Sequence, residues 1–328
     1  MNDWNSGARR TVLRLIAATV ASASMLAWGQ GFPSRPVKLI VPSAPGDGSD
    51  IMARLIAQKL QERWGQAVTV ENRPGAGGVV GTDAAAKAPG DGYTVIVGNA
   101  GSHAINQALY PKLPYDVTQD FTAVTMLASA PNAFVVNTSV PAKTVGEFIA
   151  LAKSEPGKYA FASGGNGSSA HLNGEMLNMM AGIRTTHVPY KGATPAITDV
   201  MGGQVQLMIG NLPPMLPHIR SGKLRLLGVT TPRRFAAVAD APPIADTVPG
   251  YESLAWFGIF APAATPKDVV AKWHADTVAV LAMADVRERI VALGFDVVGN
   301  SPEQYAAIVK ADIEKWTRVV KASGAKPD

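Results

Sequence analysis

The sequence contains no cysteine and has few charged side chains. The lack of cysteine excludes structural disulfides, thiolate zinc sites, a cysteine nucleophile and a lipoprotein anchor. Five histidines are scattered, without the His-x-x-x-His pair that suggests a metal site. Only 17% of the residues are charged, and the surplus of +5 is mild and not clustered. We therefore expect no metal, no other cofactor and no nucleic-acid partner.

Long hydrophobic runs are also missing, apart from a short one in residues 1–29, which we predict to be a cleavable signal peptide. Three arginines within residues 9–14 precede an apolar stretch over residues 15–28, which is too short to span a membrane. Cleavage is expected before Gln30, with a cut after Ala23 as the alternative. The arginine pair also resembles a twin-arginine signal, although the usual Ser or Thr before the pair is absent. The sequence thus predicts export to the periplasm by one of the two routes.

The mature chain shows two successive β-α-β-α-β patterns. The 328 residues suggest about two domains, and a hydrophobic content of 47% supports large cores. The first pattern occupies residues 37–97 and the second residues 155–230. Each alternation predicts a parallel sheet with helices on both faces. The sequence therefore predicts an α/β protein with two lobes.

Two extended segments are predicted to cross between these lobes. They cover residues 121–137, which Pro131 divides into two runs, and residues 253–260. The amphipathic helix predicted over residues 302–321 would dock on one lobe. Because the chain crosses twice, the first lobe would be discontinuous. The expected division is residues 30–129 with 254–328 in lobe 1, and residues 130–253 in lobe 2.

A glycine-rich turn precedes a helix in each predicted lobe. In the first lobe, residues 42–49 lead into a helix for which Ser49 and Asp50 are the N-cap candidates. In the second lobe, residues 163–169 precede a helix over residues 170–180. The free N–H groups and the dipole at a helix N-terminus attract an anion. On these residues alone, each turn is either an anion site or an ordinary strand-to-helix connection.

Motifs for nucleotide binding and covalent catalysis are missing. The glycines complete neither the Gly-x-Gly-x-x-Gly nor the P-loop spacing, and there is no Gly-x-Ser-x-Gly nucleophile elbow. Ser168, Ser169 and His171 are close in sequence, but a serine at a helix start is usually a cap. Trp256 and Phe257, on the second crossing segment, are assigned to the core, with one of them facing the space between the lobes as the alternative. An exported hydrolase is therefore the weaker alternative function.

Several stretches resemble the Bug family, the extracytoplasmic solute receptors of tripartite tricarboxylate transporters. They are VENRPGAGG at residues 70–78, DGYT at 91–94, GGNGSSAHLNGE at 164–175 and VPYKG at 188–192. The similarity extends in order over nearly all of the mature chain, and the first of these stretches is quite specific. The resemblance implies a type II periplasmic binding protein fold, with a ligand cleft between two α/β lobes and a C-terminal helix.

The resemblance also implies a function and a site. The expected ligand is a small carboxylate: a di- or tricarboxylate, an amino-acid-like acid or an aromatic acid. The receptor would be a non-enzymatic monomer that delivers its ligand to the membrane subunits of a transporter. In the family, backbone amides, hydroxyls and ordered water hold the carboxylate between two turns, which correspond here to residues 44–49 and 163–169. A module that senses the ligand for a signalling partner remains an alternative.

The predicted site combines these turns with residues that follow other strands. Asn99 and Ser102 come after the third strand, and Tyr190 and Asn211 come after strands of the second lobe. One departure from the family pattern is Asp47, where glycine is usual. A carboxylate beside an anion site opposes the charge of the ligand unless it points away, and it could also select a ligand that bears a donor such as an amino or hydroxy group. The predicted ligand-binding residues are Ala44, Gly46, Asp47, Gly48, Ser49, Asn99, Ser102, Ser163, Gly167, Ser168, Ser169, Tyr190 and Asn211.

Overall fold

A computed structural model of the protein describes residues 31–327. The predicted signal peptide and its cleavage site lie outside the described residues. Within the described residues, every helix falls short of the length and hydrophobicity that a membrane crossing requires.

The described chain is a mixed α/β fold built around one ten-stranded sheet. The strand order is β2-β1-β3-β9-β4-β7-β5-β6, and β8 and β10 also pair with β4. The strands are β1 (Val37–Val41), β2 (Val68–Asn72), β3 (Thr94–Asn99), β4 (Phe121–Asn137), β5 (Ala160–Ser163), β6 (Thr186–Pro189), β7 (Leu207–Asn211), β8 (Leu224–Val229), β9 (Leu254–Pro262) and β10 (Asp296–Val297).

The helices connect these strands in the predicted alternation. A short π-helical turn, Gly101–Ile105, follows β3 after Ala100. The α-helices are α1 (Gly48–Trp64), α2 (Val79–Ala86), α3 (Asn106–Leu109), α4 (Val117–Asp120), α5 (Val145–Ser154), α6 (Ser169–Ala181), α7 (Ala193–Met201), α8 (Leu212–Arg220), α9 (Lys267–Leu281), α10 (Ala284–Ala292) and α11 (Pro302–Ser323).

The long strand β4 belongs to two groups of strands. Its residues 121–131 pair with β9, which in turn pairs with β3 beside the parallel strands β1 and β2. Its residues 132–136 pair with β7, which lies beside the parallel strands β5 and β6, and its residues 133–137 pair with β8. We call the β1-β2-β3-β9 group the first half and the β5-β6-β7-β8 group the second half.

Pro131 does not break the first crossing segment, contrary to the prediction of two runs. Strand β4 is continuous through it, and Pro131 is the last residue paired with β9 before Asn132 pairs with Asn211 of β7. A proline cannot donate a ladder hydrogen bond and is therefore tolerated mainly at irregular positions of a sheet. Here it falls where β4 exchanges one partner strand for the other.

The C-terminal helix α11 packs against both halves. It contacts β4, α3 and the π-helical turn of the first half, and it also contacts α6 of the second half. Val319 packs against an apolar cluster in each half, one containing Trp316 and the other containing Tyr251. The sequence predicted docking on a single lobe, because an amphipathic pattern shows that a helix docks but not on how many partners it docks.

Candidate functional site

A cleft of about 430 Å³ lies between the two halves, at the edge where their parallel strands end. Its walls come from the turns after β1, β2 and β3 of the first half and from the turns after β5 and β6 of the second. Residues of β7 and β9 complete the lining. This volume is in the usual range for small-molecule sites. Open α/β sheets bind their ligands at this carboxyl edge of the strands.

Helix α1 presents its N-terminus to the cleft from the first half. It begins at Gly48, one residue before Ser49 and two before Asp50, the two predicted starts, and Asp47 is the N-cap residue in an extended conformation. A Cβ atom on Gly48 would lie 2.5 Å from Cζ of the buried Phe257, so the turn can approach β9 only with glycine here. Asn99 Nδ2 donates to Ser49 Oγ at 2.9 Å and fixes the neighbouring hydroxyl.

Asp50 supports this turn from behind and is not the cap that the sequence predicted. Its side chain is buried, and it accepts hydrogen bonds from Gly46 N at 2.9 Å and from Asn72 Nδ2 at 2.9 Å. Arg54 pairs with the same carboxylate at 2.9 Å. Burial acts to raise the pKa of Asp50, but these hydrogen bonds outweigh it and hold the pKa below its ordinary value. Asp50 is therefore an ionised structural group.

Helix α6 presents its N-terminus to the cleft from the second half. Ser168 is its N-cap, as predicted, and Ser168 Oγ accepts from His171 N at 3.4 Å. Ser169 Oγ lies 3.4 Å from Asn211 Oδ1, to which it donates, so two predicted site residues meet across adjacent elements. His171 is buried and stacks on His187 with 4.1 Å between ring centroids.

These two helix starts provide donors for an anion. The first-turn N–H groups of a helix have no partner within the helix. Of these first-turn residues, Gly48 and Ser49 of α1 and Ser169 and Ala170 of α6 line the cleft. A backbone hydrogen bond to a charged acceptor contributes about 1.5–3 kcal/mol, and each helix dipole adds about 0.3–1 kcal/mol. The cleft can therefore hold a small anion without an arginine.

Tyr190 and Lys191 line the second-half wall. Tyr190 donates its hydroxyl to Asp199 Oδ2 at 2.7 Å, and burial together with this acidic neighbour raises the pKa of Tyr190 to about 12. The hydroxyl is thus directed to Asp199, and the ring forms part of the wall. Lys191 is exposed, and among the lining residues in the described chain it is the only one with a basic side chain.

The predicted residues fall into two groups. Ala44, Asp47, Gly48, Ser49, Asn99, Ser168, Ser169, Tyr190 and Asn211 all line the cleft. The remaining four, Gly46, Ser102, Ser163 and Gly167, lie outside the lining.

The four residues outside the lining hold the turns in shape. Ser102 is buried beneath its turn, where its Oγ accepts from Asn99 N at 3.1 Å. Ser163 is also buried, and its Oγ lies 2.6 Å from His187 Nε2. Gly46 donates its N–H to Asp50, and Gly167 packs closely against Asn106. Their place in the turns was predictable, but the direction in which each faces was not.

The sequence prediction omitted the turn after β2, which lines the cleft from Pro74 to Gly78. Gly77 has φ +61°, and a Cβ atom there would overlap the carbonyl oxygen of Asn166 in the second half. In the sequence, this turn was noted only within the stretch at residues 70–78 that resembles the Bug family. Its glycines and its position after a strand are the same features that pointed to the other turns. Trp256 and Phe257 also line the cleft, while being buried in the core as predicted.

The two halves touch within the lining of the cleft through the turn after β1. Asp47 Oδ1 accepts a hydrogen bond from Ala193 N, the first residue of α7, at 3.1 Å. A Cβ atom on Gly192 would lie 2.6 Å from Cβ of Ala44, so the two backbones are in close contact. Burial raises the pKa of Asp47 to about 7, although the Ala193 hydrogen bond opposes the shift. The described conformation is therefore a closed one.

Comparison with known proteins identifies the class of this fold and site. Residues 52–325 match the tripartite tricarboxylate transporter family receptor. The chain is 36% identical over 319 residues to the protein BugT of Bordetella pertussis, covering 96% of this chain and 98% of that one. The solved structure of Rhodopseudomonas palustris Rpa4515 with adipate is 37% identical, with a TM-score of 0.88, over 90% of this chain and all of that one. The structure of MatC from the same organism with bound malate is 35% identical, with a TM-score of 0.84, over 88% of this chain and all of that one.

The fold is therefore that of the two-lobed periplasmic binding proteins, as predicted. The chain belongs to the tripartite tricarboxylate transporter receptor family, which includes the Bug proteins. The family and its solved members are solute-binding proteins rather than enzymes.

Proposed function

We propose that this protein is a periplasmic receptor that captures a small carboxylate and delivers it to the membrane subunits of a tripartite transporter. The observation that carries the proposal is the convergence of two helix N-termini, those of α1 and α6, on one cleft from opposite halves. Two related structures contain the small acids adipate and malate, which supports a ligand of this class.

The ligand carboxylate would be bound between the predicted turns of residues 44–49 and 163–169. The amides at the starts of α1 and α6 would donate to it, and the hydroxyls of Ser49 and Ser169 lie beside them. Because the donors come from both halves, one carboxylate bridges the halves and stabilises the closed form over the open one. Lys191 adds a positive charge at the edge of the cleft.

Closure would be a hinge motion at the two crossing strands. We assign residues 30–129 with 254–328 to lobe 1 and residues 130–253 to lobe 2. The change of partner in β4 at Asn132 supports a hinge close to the first boundary. The protein would be exported by means of residues 1–29 and act as a monomer.

A thermal-shift screen of the mature protein tests carboxylate binding. Succinate, malate, adipate, an aromatic monocarboxylate and amino acids would be compared with the neutral diamides of succinate and adipate. At least one acid is expected to raise the melting temperature in a saturable way, because a ligand that binds only the folded state stabilises it by mass action. Neutral sugars and peptides would be included as well, and a shift with these or with the diamides alone would contradict the proposal.

The transport role is tested separately by uptake of the identified acid. Cells lacking the gene should lose high-affinity uptake of that acid and regain it when the gene is restored. Uptake that is unchanged, with altered transcription on addition of the acid, would favour the sensing alternative.

A further inference from the structure

Asp47 places a carboxyl group of the protein itself inside the cleft. It lines the cleft while its Oδ1 accepts the hydrogen bond from Ala193 N at the start of α7. Gly192 and Ala193 line the same part of the wall. The carboxyl group of Asp47, which belongs to the first half, is therefore bound at the N-terminus of α7 in the second half.

The charges around this carboxyl group are few. Among the lining residues of the described chain, Asp47 is the only acidic side chain and Lys191 the only basic one. Behind Asp47 on α1, Asp50 is paired with Arg54 and directed to its own turn. On the opposite wall, the hydroxyl of Tyr190 is bound to Asp199. One cation in the cleft is thus available to balance the charge of both Asp47 and the ligand.

We propose that Asp47 is a specificity-determining residue that restricts this receptor to acids with a single carboxylate, whose other end is neutral or donates a hydrogen bond. The inference rests on the proposed function, because it assumes that one ligand carboxylate is held by the α1 and α6 amides. The Asp47 carboxyl group then already occupies the place at α7 that a second carboxylate would need.

The exclusion of a second carboxylate follows from charge repulsion in a partly desolvated cleft. Like charges placed together oppose binding, and such repulsion is a common source of selectivity. A hydroxyl or amino group at the same position would instead donate to the Asp47 carboxylate. This preference differs from the two solved relatives described above, which hold the dicarboxylates adipate and malate.

The selectivity should also depend on pH. Burial raises the pKa of Asp47 to about 7, so the group is mainly ionised at pH 8 and mainly protonated at pH 6. Protonation removes the repulsion, and a protonated carboxyl group can donate to a ligand carboxylate. We expect dicarboxylates to bind better as the pH falls through 7, while both carboxylates of the ligand are still ionised.

The test is calorimetric binding of matched ligand pairs that differ only in the second carboxylate. Succinate is compared with 4-hydroxybutyrate, and adipate with 6-hydroxyhexanoate, using the mature protein, D47N and D47G at pH 6 and pH 8. The asparagine side chain in D47N keeps an oxygen that can accept from Ala193 N, whereas the glycine in D47G also removes this contact. D240N is the control, because Asp240 is an exposed acid outside the cleft.

In the unaltered protein at pH 8 we expect the hydroxy acid of a pair to bind about tenfold more tightly than the diacid. D47N and D47G should remove this preference at pH 8, and D240N should keep it. At pH 6 the preference of the unaltered protein should shrink. The inference is wrong if the unaltered protein prefers the diacid at pH 8, or if D47N leaves the ratio unchanged. Binding of no acid at all would instead overturn the proposed function.

Discussion

Asp50 shows how a single buried carboxylate shapes the turn in front of it. It holds Gly46 N, Asn72 and Arg54 together beneath the cleft. The sequence suggested a helix cap here, because aspartate near a helix start is a common cap. The actual cap position is Asp47, and Asp50 instead organises contacts between β2 and the first turn. The contact with Asn72, 22 positions further along the chain, has no local sequence signal.

Replacing Asp50 by asparagine should lower the free energy of unfolding by about 1–3 kcal/mol at pH 7, because charge-assisted hydrogen bonds are lost from a buried group. The folded-state pKa of Asp50 is below its ordinary value, so its stabilising contribution is present above the unfolded-state pKa of about 3.9 and is lost as the pH falls through the folded-state value. The difference in unfolding free energy between the unaltered protein and D50N should therefore become smaller towards pH 3. Urea unfolding at several pH values measures this difference.

The exposed pair of Arg35 and Asp91 provides the control for this prediction. D91N should change stability by less than about 1 kcal/mol, because exposed ion pairs contribute little. Equal effects of D50N and D91N would contradict the structural role assigned to Asp50.

At the scale of elements, the alternation of strands and helices was predictable and the faces of the turns were not. The strand-turn-helix pattern is local, so β1, α1, β5 and α6 could be predicted from apolar runs, glycines and caps. Which side of a turn faces the cleft depends on packing between halves. This is why Ser102 and Ser163 were included in the site and the turn at Pro74–Gly78 was omitted.

The close packing of Gly48 at the start of α1 leads to a prediction about stability and ligand binding. In G48A, the new methyl group would meet the Phe257 ring, which lies 2.5 Å from the position of the added atom. Overpacking of this kind costs about 1–3 kcal/mol. We expect a lower unfolding free energy and weaker binding of any acid identified by the thermal-shift screen, because displacing the turn moves the α1 amides.

Gly202 is a matched control for the glycine substitution. Its φ is −75°, and a Cβ atom there meets its nearest neighbour, Thr198 O, at an ordinary 3.5 Å. G202A should leave acid affinity unchanged. Chemical unfolding measures the stability of both variants, and calorimetry measures their affinity for the acid. Unchanged affinity in G48A would show that the start of α1 is not part of the binding site.

For the whole molecule, the two-lobed architecture was predictable from two βαβ patterns and two crossing segments. The contact of α11 with both halves was not, because Val319 meets residues far away in sequence in each half. The closed arrangement likewise depends on contacts such as that of Asp47 with Ala193, which are separated by 146 positions.

Closure can be followed by fluorescence energy transfer, since the chain has no cysteine and introduced ones are labelled selectively. We expect K87C with K153C to report a ligand-dependent change in transfer efficiency, because Lys87 is exposed just after α2 and Lys153 is exposed on α5 of the opposite half. The pair K87C and K112C, both from the first half, should not respond. A response of neither pair to a saturating acid would show that binding occurs without hinge motion.

The position of α11 has a kinetic consequence. A helix fixed to both halves must give up part of its packing whenever the halves separate, so wide opening is costly and a narrow opening is favoured. A narrow range of motion shortens the return from open to closed, which favours rapid recapture of a ligand that has just come free. Release to a partner would then depend on contacts that loosen α11 from one half.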